Sequence, residues 1–395
     1  MKKRNYFILS LFVVIALASC KNNDGVDIEY DYYEKEDYQL LAQYLDIPEV
    51  PYAYENRFPD YYSTFPRTYD RDLATLGRVL FYDKNLSDDR TISCASCHRQ
   101  EIAFSDNVAL SNGVNGRKTT RNSLALGSVF NFQEYYGSSI IGRIPFFWDN
   151  RATSVQEQSR ATLGNPDEMN MPMHEVRGRV EDLEYYEPLF RMAYGHTVQN
   201  DQEILDAIGV FVNSIGSFNS KYDQEVDKYL NQTGSLSNIE NSDLSGFNAQ
   251  ENMGRQLFVN NCSNCHGNIE RAAPTPGLIQ ANNGLRMNYE DEGVASFEPG
   301  AQNVAMFKVP TLRNIELTAP YMHDGSLATL EEVVDHYSNN IAAHPNLNPE
   351  LKGLDGSPKQ MNFSQEEKEA LIAFLKTYTD DEFLTDERYS DPFKQ

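Results

Sequence analysis

The chain has 395 residues, with 58 acidic against 34 basic side chains and a formal net charge of −24. That balance excludes the basic surface a nucleic-acid binder needs, and no segment beyond the N-terminus has the about eighteen apolar residues in a row that read as a membrane span. The charge suits solubility or a basic partner face.

The first residues, "MKKRNYFILSLFVVIALASC", set three basic side chains before an apolar run from Tyr6 to Leu17, then small residues before Cys20. The run is short for a span and reads as a cleaved secretory signal, residues 1–19. Leu-Ala-Ser-Cys is similar to a bacterial lipobox, which makes Cys20 the lipidated first residue of the mature protein. An uncleaved N-terminal anchor is the alternative. Either way the body is expected in the periplasm or cell envelope, touching membrane only through a lipid on Cys20. Residues 20–65, rich in Asp, Glu, Tyr and Pro without sustained periodicity, read as an acidic tether that partly packs on the body.

"DRDLATLGRVLFYD" places Leu73, Leu76, Val79 and Leu80 on one helical face. It leads to "TISCASCH", and about 170 residues later "NMGRQLFVNNCSNCH" repeats the layout. Two cysteines separated by two residues can form a redox dithiol, supply half a zinc site, or add to the vinyl groups of a haem as thioethers. A histidine directly after the second thioether is held where its imidazole can ligate the iron. Cys94, Cys97 and His98 form one set, and Cys262, Cys265 and His266 the other. A single all-thiolate zinc site would leave both histidines unexplained, so two covalently bound c-type haems are expected. All five cysteines are then used, one for lipid and four for haem, with none for a disulfide.

"EEVVDHYSNNI" and "SQEEKEALIAFLKTY" read as further helices, the second opened by a Ser364–Glu367 capping box. Strand signals are sparse. The expected fold is mainly α, with two cytochrome c-like haem domains packed against each other, over residues 66–240 and 241–395.

The stretches "LGRVLFYDKNLSDDRTISCASCH", "FFWDNRATSVQEQ", "NPDEMN" and "FKVPTLRNIELTAPYMHDGSLATLEEVVDHY" resemble the bacterial di-haem cytochrome c peroxidases and their MauG-like relatives, from about Leu73 to about Phe383. The resemblance implies an N-terminal haem that handles peroxide, a C-terminal haem that handles electrons, and a calcium ion between the domains. It makes His98 and His266 the proximal ligands and Trp148, the one tryptophan, an aromatic bridge between the haems. It makes Glu168 the distal acid–base with Gln158 beside it, a pairing suited to moving a proton between peroxide oxygens. Asn122, with the backbone carbonyls of Thr318 and Pro320, matches the calcium ligands, hard oxygen donors of the kind that ion takes.

Two departures from the family pattern stand out. Where members that need reductive activation carry a distal histidine, this chain reads "LSNGVNGRKTTRN", with Val114 or a near neighbour at the matching place. Valine cannot ligate iron, so the first haem is expected to be five-coordinate and open to peroxide at rest. His174, near Glu168, is the one histidine that could swing in. Where the peroxidases carry an axial methionine on the second haem, "TLEEVVDHYSNN" aligns Tyr337, the MauG-like state, with Met322 and His336 as alternatives. A phenolate favours oxidised iron and lowers the reduction potential.

Three functions follow. The first is reduction of hydrogen peroxide to water with electrons from a small c-type cytochrome or copper protein. The second is peroxide-driven oxidation of a Trp or Tyr on an exported protein substrate. The third is a di-haem electron carrier, against which Glu168 and Gln158 speak.

Overall fold

The computed structural model describes residues 33–62, 66–127, 129, 146–267 and 278–394. The leader and Cys20 lie outside them. Among the described residues the fold is mainly helical. Two two-residue antiparallel ladders are its strands, β1 (Glu55–Asn56) with β2 (Arg67–Thr68) and β3 (Gln280–Ala281) with β4 (Phe307–Lys308). None of the helices is long and apolar enough to cross a membrane.

The N-terminal half carries α1 (Lys35–Tyr44), α2 (Arg71–Tyr82), α3 (Cys94–Cys97), α4 (Val155–Gly164), α5 (Met173–Asp182), α6 (Tyr186–Tyr194) and α7 (Asp201–Ser214). After α8 (Lys221–Thr233) come α9 (Ala249–Asn261), α10 (Ser263–His266), α11 (Leu330–Asn339) and α12 (Gln365–Lys376). The expected start of α2 is sharpened by Asp70, whose carboxylate accepts from the backbone N–H groups of Asp72 and Leu73. Leu76, Val79 and Leu80 are buried as the periodicity predicts, while Leu73 is only partly covered. Ser364 and Glu367 form the expected reciprocal box.

The repeated "GR-x-LF" of α2 and α9 has a three-dimensional meaning. Gly77 lies so close to α7 that a Cβ there would sit 1.9 Å from the Ala207 carbonyl oxygen and 2.8 Å from the Phe211 Cβ. Gly254 repeats this against α12, 1.8 Å from the Ala370 carbonyl oxygen and 2.8 Å from the Phe374 Cβ. Each glycine therefore allows two helix backbones to touch just before a CxxCH segment. The arginines that follow are buried and bind backbone: Arg78 donates to the Ser390 carbonyl at 2.6 Å, and Arg255 to the Ile239 carbonyl at 2.9 Å.

Two hydrophobic cores result, and they do not divide the chain where the motifs suggested. Tyr222 and Val226 of α8 join the second core with Phe258, Phe374 and Tyr378, whereas Phe383 and Tyr389, near the C-terminus, join the first. The reading of residues 20–65 as a tether also needs correction from Tyr33 onward. Leu41 of α1 and Tyr54 are fully buried in the first core, and Tyr61 is buried in the second. Scattered aromatic anchors, with no helical period, hold this segment down. At the second core the buried Asp223 carboxylate receives Arg313 at 2.8 and 2.9 Å and the Tyr61 hydroxyl at 2.6 Å.

Gly77→Ala and Gly254→Ala each force a methyl into a backbone carbonyl and are expected to lower stability by roughly 1–3 kcal/mol or more. Thermal unfolding with haem absorbance checks this. Unchanged melting of both variants would show that the helix crossings have slack.

Candidate active site

Two cavities open among these helices. The first is lined by Cys94, Cys97, His98, Gln158 and Glu168, the second by Cys262, Cys265, His266, Met322 and Tyr337. Their volumes are about 200 and 230 Å³, whereas one water needs on the order of 10–15 Å³ by the same kind of measure. Asn122, Ser123, Leu124, Ala125, Trp148 and Lys308 line both cavities and so form the wall between them.

The cysteine pairs sit on separate cavities, which rules out one four-cysteine zinc site. All four are free thiols, and burial pushes Cys94 and Cys262 up to about 12, opposite to the lowered values of reactive dithiols. Each histidine is oriented as an iron ligand must be. The His98 Nδ1 meets the Phe104 carbonyl at 2.9 Å, and the His266 Nδ1 meets the Pro310 carbonyl at 3.3 Å. A carbonyl only accepts, so Nδ1 carries the proton and Nε2 is left for the metal. Burial lowers both imidazoles, His266 to about 4, keeping them neutral. Thiols, a neutral imidazole and a large apolar chamber fit a c-type haem in each cavity.

Across the first cavity, Glu168 follows α4 in a turn closed by Asn165. Its Oε1 accepts from the Asn165 Nδ2 at 2.7 Å. Burial raises its pKa, against the opposing pull of hydrogen bonds from Thr162 and Asn165 and the charge of Arg151. Gln158 lies one turn back from Thr162 and donates to its hydroxyl at 3.0 Å. Val114 is buried away from the cavity lining, its N–H bonded to the Glu168 carbonyl at 2.9 Å. Within the "NGVNG" turn, Gly113 passes so close to Asp167 that a Cβ would sit 2.0 Å from its carbonyl oxygen. The turn thus braces the loop that carries Glu168. His98 is the one histidine on this lining. His174 is on α5 with its side chain 74 % exposed, paired with Glu175.

On the second cavity Tyr337 and Met322 both line the wall. Asn283 ties them together, donating to the Met322 sulfur at 3.2 Å and hydrogen bonding the Tyr337 phenol. Desolvation nevertheless raises the phenol's pKa. His336 is off the lining and gives its Nε2–H to the Asn283 carbonyl at 3.1 Å.

Trp148 is 9 % exposed, and its indole N–H donates to the Asn122 carbonyl at 2.9 Å while its own carbonyl accepts from the Lys308 N–H at 2.7 Å. It therefore bridges segments from both halves. Asn122, Thr318 and Pro320 all line the second cavity, and the Asn122 N–H binds the His323 carbonyl at 2.8 Å.

Several participants had no motif to betray them. Lys308 is buried in the shared wall, and desolvation brings its pKa down to about 7. Arg121 bonds Asp291 at 2.7 and 2.8 Å and pairs with Asp149 at 2.6 Å, clamping the halves beside Trp148. Only charge complementarity across 170 residues could have found it.

The di-haem cytochrome c peroxidase family model matches residues 71–231. The methylamine utilization protein MauG of Methylorubrum extorquens is 30 % identical over 317 residues, 77 % of this chain and 77 % of that protein. The cytochrome c551 peroxidase of Nitrosomonas europaea is 31 % identical over 320 residues, 79 % of this chain and 81 % of that protein. A crystal structure of a MauG-like protein associated with microbial copper homeostasis superposes with a TM-score of 0.65 and 31 % identity, covering 82 % of this chain and 94 % of that one. With paired CxxCH cavities on one helical scaffold and relatives matched along most of their length, this chain belongs to the di-haem cytochrome c peroxidase family.

Proposed function

We propose that the protein reduces hydrogen peroxide to water in the first cavity and receives electrons through the second. The observation that carries the reading is that His98 and Glu168 line one cavity, with Trp148 in the wall shared with the other. Bound haem supplies the iron that takes peroxide and the redox equivalents that reduce it. The protein's part is proton handling. Glu168 takes the proton from one peroxide oxygen and delivers it to the other as the O–O bond breaks, and Gln158 holds the wall beside it through Thr162. Burial tunes that carboxyl upward, toward a value at which it can both accept and give. Cys94, Cys97, Cys262 and Cys265 tether the haems, and His98 and His266 ligate them. Asn122 with the Thr318 and Pro320 carbonyls holds a calcium ion at the second cavity. A small c-type cytochrome or copper protein in the periplasm supplies the electrons, and the lipid on Cys20 holds the enzyme to the envelope.

Tyr337 on the second cavity favours a second reading, in which peroxide drives oxidation of a Trp or Tyr on a partner protein. A phenolate there disfavours reduction by a high-potential donor and favours sharing the oxidising equivalent.

Glu168→Gln is expected to slow the reaction with peroxide roughly a hundred- to ten-thousand-fold with both haems in place. Because the base form is required and burial raises its pKa, the wild-type rate should fall as pH drops through a value above the ordinary glutamate figure of about 4.3, and this limb should vanish in the variant. Undiminished stopped-flow rates would remove Glu168 from the chemistry. Electron paramagnetic resonance of the ferric protein should show one high-spin and one low-spin haem, with peroxide reacting before any reduction. Two low-spin signals would instead put Met169, the thioether on the first cavity's wall, onto iron. Tyr337→Met should raise the potential of the second haem in a redox titration; an unchanged potential passes the ligand role to Met322.

A further inference from the structure

A ladder of tyrosines leaves each cavity. From the second, Phe258 on the cavity wall leads to Tyr378 at 6.2 Å between ring centres, then to Tyr222 at 4.8 Å and Tyr61 at 6.3 Å. Behind the first, Tyr186 is buried in the same core as Phe81, Ile92 and Cys94 of the cavity wall. Tyr186 meets Tyr185 at 4.8 Å in a tilted pair, and Tyr185 meets Tyr44 at 5.3 Å. Tyr186 and Tyr185 are buried, and Tyr44, the last residue of α1, is 37 % exposed.

Ring contact alone does not make a redox path. A phenol that loses an electron becomes a strong acid and stays oxidised only if its proton has somewhere to go. On the second ladder the Tyr222 and Tyr378 hydroxyls are buried with no hydrogen-bond partner. On the first ladder every hydroxyl faces a carboxylate. Asp83 Oδ2 accepts from the Tyr185 hydroxyl at 2.8 Å and the Tyr186 hydroxyl at 2.7 Å, and Glu184 accepts from Tyr44. Asp83 is itself 1 % exposed, fixed through its other oxygen by the Asn85 backbone N–H at 2.8 Å and side-chain N–H at 3.0 Å. A buried carboxylate spent on two phenols rather than on a cation is a proton acceptor placed for them.

We propose that Tyr186, Tyr185 and Tyr44 relay an oxidising equivalent from the first cavity to the surface, where Tyr44 oxidises a phenol-class donor. The proposal rests on the peroxidase reading, which supplies the oxidant. Tyr186 gives one electron toward the cavity and its hydroxyl proton to Asp83. Tyr185 refills Tyr186 with an electron, while Asp83 returns one proton to Tyr186 and takes one from Tyr185. Tyr44 refills Tyr185 in the same way and leaves its own proton on Glu184. The donor then restores Tyr44 with one electron and its own phenol proton, Glu184 releases the proton it holds to solvent, and one proton enters the cavity from solvent for each electron that arrives. Two such passages turn one hydrogen peroxide into two waters and two donor molecules into two phenoxyl radicals. Tyr44 and its helix lie outside the residues matched by the family model, 71–231, so this exit is built by a segment the match does not cover.

The test treats the haem-loaded protein with hydrogen peroxide and the spin trap 2-methyl-2-nitrosopropane, then maps adducts by peptide mass spectrometry. Wild type is expected to carry the adduct on Tyr44. Tyr185→Phe, which keeps the ring but cannot form a phenoxyl radical, should abolish it, and so should Tyr44→Phe. Tyr38→Phe, on the same helix but bonded to the Ile47 carbonyl, should retain the Tyr44 adduct. The haem absorbance before peroxide reports that each variant is loaded and folded. If peroxide changes that absorbance but Tyr44 stays unlabelled in wild type, or stays labelled in Tyr185→Phe, the relay is wrong and the peroxidase reading stands. If peroxide leaves the absorbance unchanged, both fall.

Discussion

Everything else in the molecule depends on the approach of two helix pairs at a glycine. Gly77 against Ala207 and Gly254 against Ala370 bring backbones into contact where any side chain would hold them apart. Each contact fixes the helix that precedes a CxxCH segment: α9 runs directly into Cys262, whereas α2 ends at Tyr82 and a short connection leads on to Cys94. The buried arginine one residue later locks the same helix to a distant stretch of backbone. A haem pocket must keep its ligand oriented to fractions of an ångström. Close backbone packing is stiffer than side-chain packing, and the same solution appears twice in one chain.

The second constraint is the wall. Two redox sites in one protein are useful only if they communicate, and here one layer of residues belongs to both cavities. Trp148 is held there from the Asn122 carbonyl on one side and Lys308 on the other, with Arg121 and its two aspartates clamping the halves nearby. The indole is positioned by hydrogen bonds at both backbone and ring, so its place relative to the cavities does not depend on apolar packing alone. Lys308, brought to about 7 by burial, adds a charge at the centre of the wall that is sensitive to its surroundings.

The sequence made the two motif-bearing helices, the mainly helical class and the residues on each cavity legible, because those features are local. Haem attachment needs five consecutive positions, and a helix face needs four spaced by its period. Glu168, Gln158, Tyr337 and Met322 were reached through a resemblance, and the geometry brings each to a cavity wall, though it leaves Tyr337 and Met322 side by side. His336, the alternative to Tyr337, is off the lining because residues adjacent on a helix point about 100° apart. The crossing of the C-terminal residues onto the first core, and the ordered packing after Tyr33, had no local signature. Tyr389 and Leu41 are buried by contacts hundreds of residues away, which neither periodicity nor composition encodes.

Three carboxylates, two buried and one half-buried, show how the fold gives one chemical group different surroundings. Asp223 faces the Arg313 guanidinium in a bidentate pair that holds its pKa below the usual range despite full burial. That pair ties α8 and the Tyr61 segment to the stretch at Arg313 beside the second core, and removing either partner would strand a buried charge. Glu168 is half-buried and meets amide and hydroxyl donors and the charge of Arg151, yet desolvation prevails and its affinity for a proton rises. Asp83 is given two phenols on one oxygen and an asparagine on the other. A cation beside Glu168 would have frozen it as an anion, and phenols around Asp223 would have left Arg313 unpaired. The distribution of these partners, more than the carboxylates themselves, separates a group held as an anion from one whose affinity for a proton is raised.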